Sequence, residues 1–248
     1  MANWPDPRST DAPRTSFGTQ AGTVDTAAYD AGLRSYMLSI YNYMASGVLL
    51  TGIVAMLFAS SGMAAQVFGG GGFLPWIIIL SPLAIVFAMS FGAQKMSTFT
   101  LQALFWGFAV LMGLSLSTIF LRYTGSSIAQ TFFATSAAFA GLSLWGYTTK
   151  KDLSGWGSFL IMGVIGLIVA MLINIWLQSP AMHYVVSAIG VFIFAGLTAY
   201  DTQRLKSMYS HVAGTDMMGK YIIMGALSLY LDFINMFQFL LSFLGSSE

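Results

Sequence analysis

Between Ala181 and Tyr200 the only strongly polar residue is His183, and six further stretches of the chain are nearly as free of charge. A hydrocarbon core of about 30 Å is crossed by roughly 20 helical residues, and inside it backbone polar groups are satisfied only by helices or closed barrels. Apolar runs of that length fall near 36–59, 74–93, 99–121, 127–147, 157–177, 183–203 and 221–244. They are continuous rather than alternating, so they predict an all-α integral membrane protein with seven transmembrane helices. Composition agrees, with 56% hydrophobic and 8% charged residues and a mean hydropathy of +0.74. The lipid bilayer is thus the first partner. A net charge of +1 gives no reason to expect nucleic acid, and the absence of cysteine excludes disulfides, thiolate metal sites and cysteine nucleophiles.

Residues 1–28 lack an apolar run and hold three of the six prolines, Pro5, Pro7 and Pro13. They read as a disordered cytoplasmic tail, not a signal peptide, leaving 29–248 as the seven-span domain. Basic residues set the orientation. Arg8, Arg14, Arg34, Lys95, Lys150, Lys151, Arg204, Lys206 and Lys220 fall on one side of the seven-span plan and only Arg122 on the other. This bias places the amino terminus in the cytoplasm and the carboxyl terminus outside, as in a bacterial plasma membrane. Gly69 to Gly72, far from any basic residue, read as an extracytoplasmic loop rather than a phosphate cradle.

The acidic residues yield to the same elimination. Asp6, Asp11, Asp25 and Asp30 lie in or beside the tail, Asp152 and Asp216 in loops, and Glu248 at the chain end. Asp201 and Asp232 alone remain inside spans. A charged carboxyl at the bilayer centre costs about 2.5–3.5 kcal/mol even on the lenient insertion scale, so it normally faces a partner, a protein interior or a water-filled cavity. Spans six and seven form a hairpin whose polar turn, Ser210 to Lys220, is centred near Thr215. That symmetry predicts a depth offset of three residues between the aspartates, roughly 4.5 Å of helix rise. Helical spacing sets Ser228 and Asn235 beside Asp232, and Thr198 and Arg204 beside Asp201, as a polar seam facing the bundle interior. Structural readings compete: an interfacial ion pair of Asp201 with Arg204, and a helix-joining hydrogen bond from Asp232 to Ser or Asn.

If the carboxyls approach, repulsion and desolvation both disfavour the doubly ionised pair, and one proton is shared between them. The result is a proton-sensitive latch. Ionised and accessible, the same oxygens suit a hard cation such as Ca²⁺ or a proton relay.

Two segments, AGLTAYDTQRLKSMY (195–209) and GALSLYLDFINMFQFLLSFLG (225–245), resemble the end of the transmembrane Bax-inhibitor family, marked by an aspartate in span six and another in span seven. With the seven-span plan, the similarity extends over about 34–245. The resemblance implies six helices around a central seventh, a calcium leak regulated by pH with Asp201 and Asp232 as its sensing pair, and, among eukaryotic relatives, suppression of cell death. One departure stands out: some relatives brace the pair with a charged residue in span two, and FLPWIIILSPLAIVFAMSFGAQ has none. Within it, Pro82 frees a carbonyl one turn back, read here as a packing kink.

The expected function is therefore a pH-sensitive cation leak, for Ca²⁺ foremost, with no enzymatic activity and no cofactor. A non-transporting regulator that binds another membrane protein, such as a protease or death factor, is the main alternative. An intramembrane aspartyl protease is a remote one, since Tyr-Leu-Asp stands where such enzymes carry Gly-x-Gly-Asp. The GLSL segments at 113 and 141 read as small-residue helix packing, and Trp76, Trp145, Trp156 and Trp176 as anchors at span ends.

Overall fold

A computed structural model of the protein describes residues 21–246, with side chains from Thr26 onward. Eight helices form: α1 (Ala21–Ser60), α2 (Met63–Gly69), α3 (Leu74–Gly92), α4 (Thr98–Leu116), α5 (Gly125–Thr148), α6 (Ser154–Leu177), α7 (Pro180–Val212) and α8 (Met218–Leu244), with a 3-10 turn over Ser117–Leu121. Seven are long and apolar enough to cross a membrane, and among the described residues there is no strand. Local chemistry sets several boundaries. The Ser97, Thr124 and Ser179 hydroxyls each accept a backbone N–H from the first turn of α4, α5 and α7. Pro75 and Pro180 stand at helix starts, where a missing N–H costs nothing. In α3 the carbonyl that Pro82 frees, that of Ile78, is taken by the Ser81 hydroxyl at 3.1 Å, so it is spent within the helix.

α8 is the central helix. It packs against α7, α1, α5 and α4, and 50% of its most apolar window is buried, against 11–28% for the other spans. α3 sits outside on α4, and α6 outside on α7. Their large side chains face outward, and Trp76, Trp145, Trp156 and Trp176 are all exposed close to helix ends. Close approach is bought with small residues: Gly146 of α5 lies so near the Ala199 backbone of α7 that a Cβ there would overlap its carbonyl. Gly113 meets the Thr51 carbonyl of α1 in the same way, whereas nothing lies within 4 Å of a Cβ built at Gly141. In the second GLSL segment Gly141 takes no part, and Ser143 is the small residue buried between helices.

Two helices overrun the apolar stretches. α1 begins at Ala21, so residues 21–28 are helical and not part of a disordered tail; residues 1–20 lie outside the described residues. α7 continues nine residues past 203 to Val212 and confines the turn to the short stretch before Met218. The two extensions hold each other. Tyr29 and Tyr36 pack on Tyr209 with ring centroids 5.1 and 5.4 Å away, and Gly32 leaves room for the Tyr209 hydroxyl.

The connections separate into two ends. At one, Lys220 donates to the Gln94 carbonyl at 3.0 Å, Lys206 to the Tyr147 carbonyl at 2.8 Å, and Gln203 to the Lys151 carbonyl at 2.8 Å. This gathers the α3–α4, α5–α6 and α7–α8 links into a basic end. At the other, Thr124 and Ser127 bond Ser246, closing the carboxyl terminus beside Arg122.

Candidate functional site

Three contacts fix how α7 and α8 lie together. Ser187 Oγ donates to Ser242 Oγ at 3.1 Å; the Phe239 ring covers Gly190, where a Cβ would come within 2.6 Å of it; and Ser228 Oγ donates to Asp201 Oδ2. From Ser187 to Gly190 to Asp201 is three and then eleven residues, and from Ser242 to Phe239 to Ser228 is the same spacing run backwards. A single register therefore holds along the hairpin. It sets Ser228 level with Asp201 and Asp232 level with Leu197, so the aspartates stand four residues apart in depth, about 6 Å of rise. The offset is one residue more than the hairpin's symmetry predicts, because the pairing axis falls between Gly214 and Thr215 rather than on Thr215.

Both carboxyls are interior, with Asp201 8% and Asp232 4% exposed. By the hairpin register they stand about one helical turn apart on adjoining helices. Their surroundings differ. Asp201 is tied across the hairpin by Ser228 and feels the charge of Arg204; among the described residues no ion pair joins Arg204 to it, and Arg204 is exposed. Asp232 Oδ2 is buried with no hydrogen-bond partner.

The rest of the expected seam divides. Ser228 serves the opposite aspartate from the one it neighbours in sequence. Thr198 is buried, and its hydroxyl donates to the Phe194 carbonyl at 2.8 Å on its own helix. Asn235 likewise donates to the Leu231 carbonyl at 2.7 Å. Neither donates to an aspartate. Among the described residues no three metal-ligating side chains cluster, so the two carboxyls and the Ser228 hydroxyl offer only part of the six to eight oxygens that Ca²⁺ takes.

α3, the second span, carries no charged residue and packs on α4 and α2. α5 presents Ser127, Thr131, Thr135, Phe139, Ser143 and Gly146 as its buried face, and Thr202, beside Asp201, donates to the Thr198 carbonyl with Ser143 Oγ 3.5 Å away. Sequence reasoning passed over this stripe, although its four-residue spacing of Ser and Thr is a readable signal. On the other flank of α8, Tyr230 Oη lies 2.7 Å from Thr51 Oγ1, which donates to the Ala109 carbonyl at 2.8 Å, joining α1, α4 and α8.

A seven-span helical membrane protein whose last hairpin surrounds two buried carboxyls is the class that fold and site define. The chain belongs to the Bax inhibitor family: residues 33–248 match the model described as inhibitor of apoptosis-promoting Bax1. It is 47% identical over 219 residues to the inner membrane protein YbhL of Escherichia coli strain K12, covering 87% of this chain and 93% of that protein. It is 48% identical over 230 residues to an uncharacterized protein of Caulobacter vibrioides, covering 88% of this chain and 91% of the relative. With the protein RP147 of Rickettsia prowazekii the identity is 47% over 229 residues, 92% and 96% of the two chains.

Proposed function

We propose that the protein is a proton-switched cation leak, for Ca²⁺ foremost, in which Asp201 and Asp232 form the switch and no enzymatic step is involved. One observation carries this reading: Asp232, interior to the central helix, keeps a buried oxygen without a partner. A purely structural carboxyl would use the hydroxyl and amide beside it. Here Ser228 turns to Asp201 and Asn235 to its own backbone. An unsatisfied buried polar group costs about 1–3 kcal/mol, and an intramembrane acid that persists under that cost speaks for a working group.

Burial and repulsion disfavour two ionised carboxyls one turn apart, so a proton held between them keeps the hairpin latched. Without that proton the pair repels, and its oxygens become ligands for a passing hydrated ion. Having too few oxygens to strip and hold Ca²⁺, the site favours passage over storage. The amino terminus is assigned to the cytoplasm, supported by seven of the eight Lys and Arg among the described residues falling at or beside the basic end.

Reconstitution into liposomes loaded with a calcium indicator tests the proposal. Flux should vary between about pH 5 and 8, and Asp232→Asn should hold it at the native protein's acid-side value throughout, since the amide mimics a carboxyl that never ionises. No flux at any pH would contradict the leak and favour the regulator that only binds another membrane protein.

A further inference from the structure

Near the end that carries Arg122, two cavities open between α6, α7 and α8, the outer one polar over about half its lining and the inner one largely apolar with a few polar groups. The outer, of 620 Å³, is lined by Arg122, Asn174, Gln178 and Ser179. The inner, of 350 Å³, reaches Ser187, Gln238 and Asn235. Tyr123, His183 and Ser242 line both. At this shared neck Ser242 Oγ lies 2.7 Å from His183 Nε2, and Ser187 donates both to Ser242 at 3.1 Å and to the His183 carbonyl at 2.8 Å. The inner cavity ends at Asn235, three residues from Asp232, about 4.5 Å of helix rise. Phe194, level with Asn235 in the hairpin register, stacks on Phe239 with centroids 5.8 Å apart.

We propose that these cavities form an aqueous vestibule through which protons reach Asp232 from the Arg122 end of the molecule. The inner cavity has room for on the order of ten waters at about 30 Å³ each, which Ser187, Gln238, Asn235 and Ser242 can hold by hydrogen bonds, and the His183–Ser242–Ser187 chain lines its neck with groups able to hand on a proton. No carboxylate lines either cavity, so the vestibule has nothing to concentrate divalent cations but conducts protons through water and hydroxyls. The charged and titratable groups near His183 among the described residues are Arg122, Tyr123 and Tyr184. Asp232 has Asp201 across the hairpin one turn away, while Arg204 on α7 is exposed; α4 and α5 carry no charged residue, and on α1 Asp30 and Arg34 belong to the opposite, basic end. The larger cleft of 880 Å³ between α1 and α5 is almost wholly apolar, with Phe233 at its floor, and suits acyl chains rather than water.

The vestibule is independent of the leak; its role as a proton route rests on Asp232 being the switch, and two readouts keep these apart. The chain has no cysteine, so Gln238→Cys and Asn235→Cys in the full-length protein can each be probed with a charged, membrane-impermeant maleimide added to one face of sided proteoliposomes. Both should react from the Arg122 face and not from the basic face, with Leu229→Cys unreactive as a buried control. Reaction from the basic face, or from neither face in folded protein, would overturn the vestibule. In the same vesicles, altering pH on the Arg122 face alone should change calcium flux, and control from the basic face would overturn the route. Absence of flux with the predicted labelling would count against the leak alone.

Discussion

Ser228 is the residue on which the hairpin's polar chemistry turns, because it spends its one proton donor on Asp201 while sitting a turn from Asp232. Ser228→Ala should leave both aspartates without a side-chain partner and cost about 1–3 kcal/mol, read by denaturant unfolding in detergent; Ser228→Thr, which keeps the hydroxyl, should recover most of it. Asp152 supplies no part of the pH response. The Ser154 hydroxyl and N–H hold its exposed carboxyl below the usual carboxylate range, so it stays ionised as pH falls towards that range. Elimination alone was enough to isolate Asp201 and Asp232, since a charge inside an apolar run is visible in any hydropathy reading. Spacing also set Thr198, which is buried, beside Asp201 and Asn235 beside Asp232. It could not show where their donors point: a Thr or Asn inside a helix can bond its own carbonyl four residues back, and both do.

Helix by helix, hydropathy located all seven spans, because a bilayer enforces long, continuous apolar runs. It misplaced the ends of α1 and α7 for a physical reason. Hydropathy reports the apolar runs, whereas both helices continue past those runs, where Tyr29, Tyr36 and Tyr209 pack together. The short α2 between two glycine turns left no apolar signature of its own. Close helix contacts were equally silent, since one glycine among 26 looks like another. At Gly146, where α5 meets the α7 backbone next to the site, Gly146→Ala should force the helices apart and cost about 1–3 kcal/mol. Gly141→Ala, on an open face of the same helix, should leave unfolding unchanged or slightly favoured. Equal losses in detergent unfolding at the two positions would show that the α5–α7 contact is not as close as described.

Across the whole molecule, the proposed switch is tied to the proposed sidedness. The basic end collects three interhelical connections, and the opposite end opens into the cavities below Arg122. A reporter fused to the carboxyl terminus should be active when it is one that needs the extracytoplasmic side, such as alkaline phosphatase, and dark when it is a cytoplasm-dependent fluorescent protein; the reverse would invert the proposed orientation. The central claim is that Asp201 and Asp232 act as one titrating unit rather than as two separate acids. Calcium flux measured across pH in Asp201→Asn, Asp232→Asn and the double variant tests it directly. All three should give the same flat profile, with the double variant adding nothing to either single change. A pH response that survives in one single variant, or effects that simply add in the double, would contradict it.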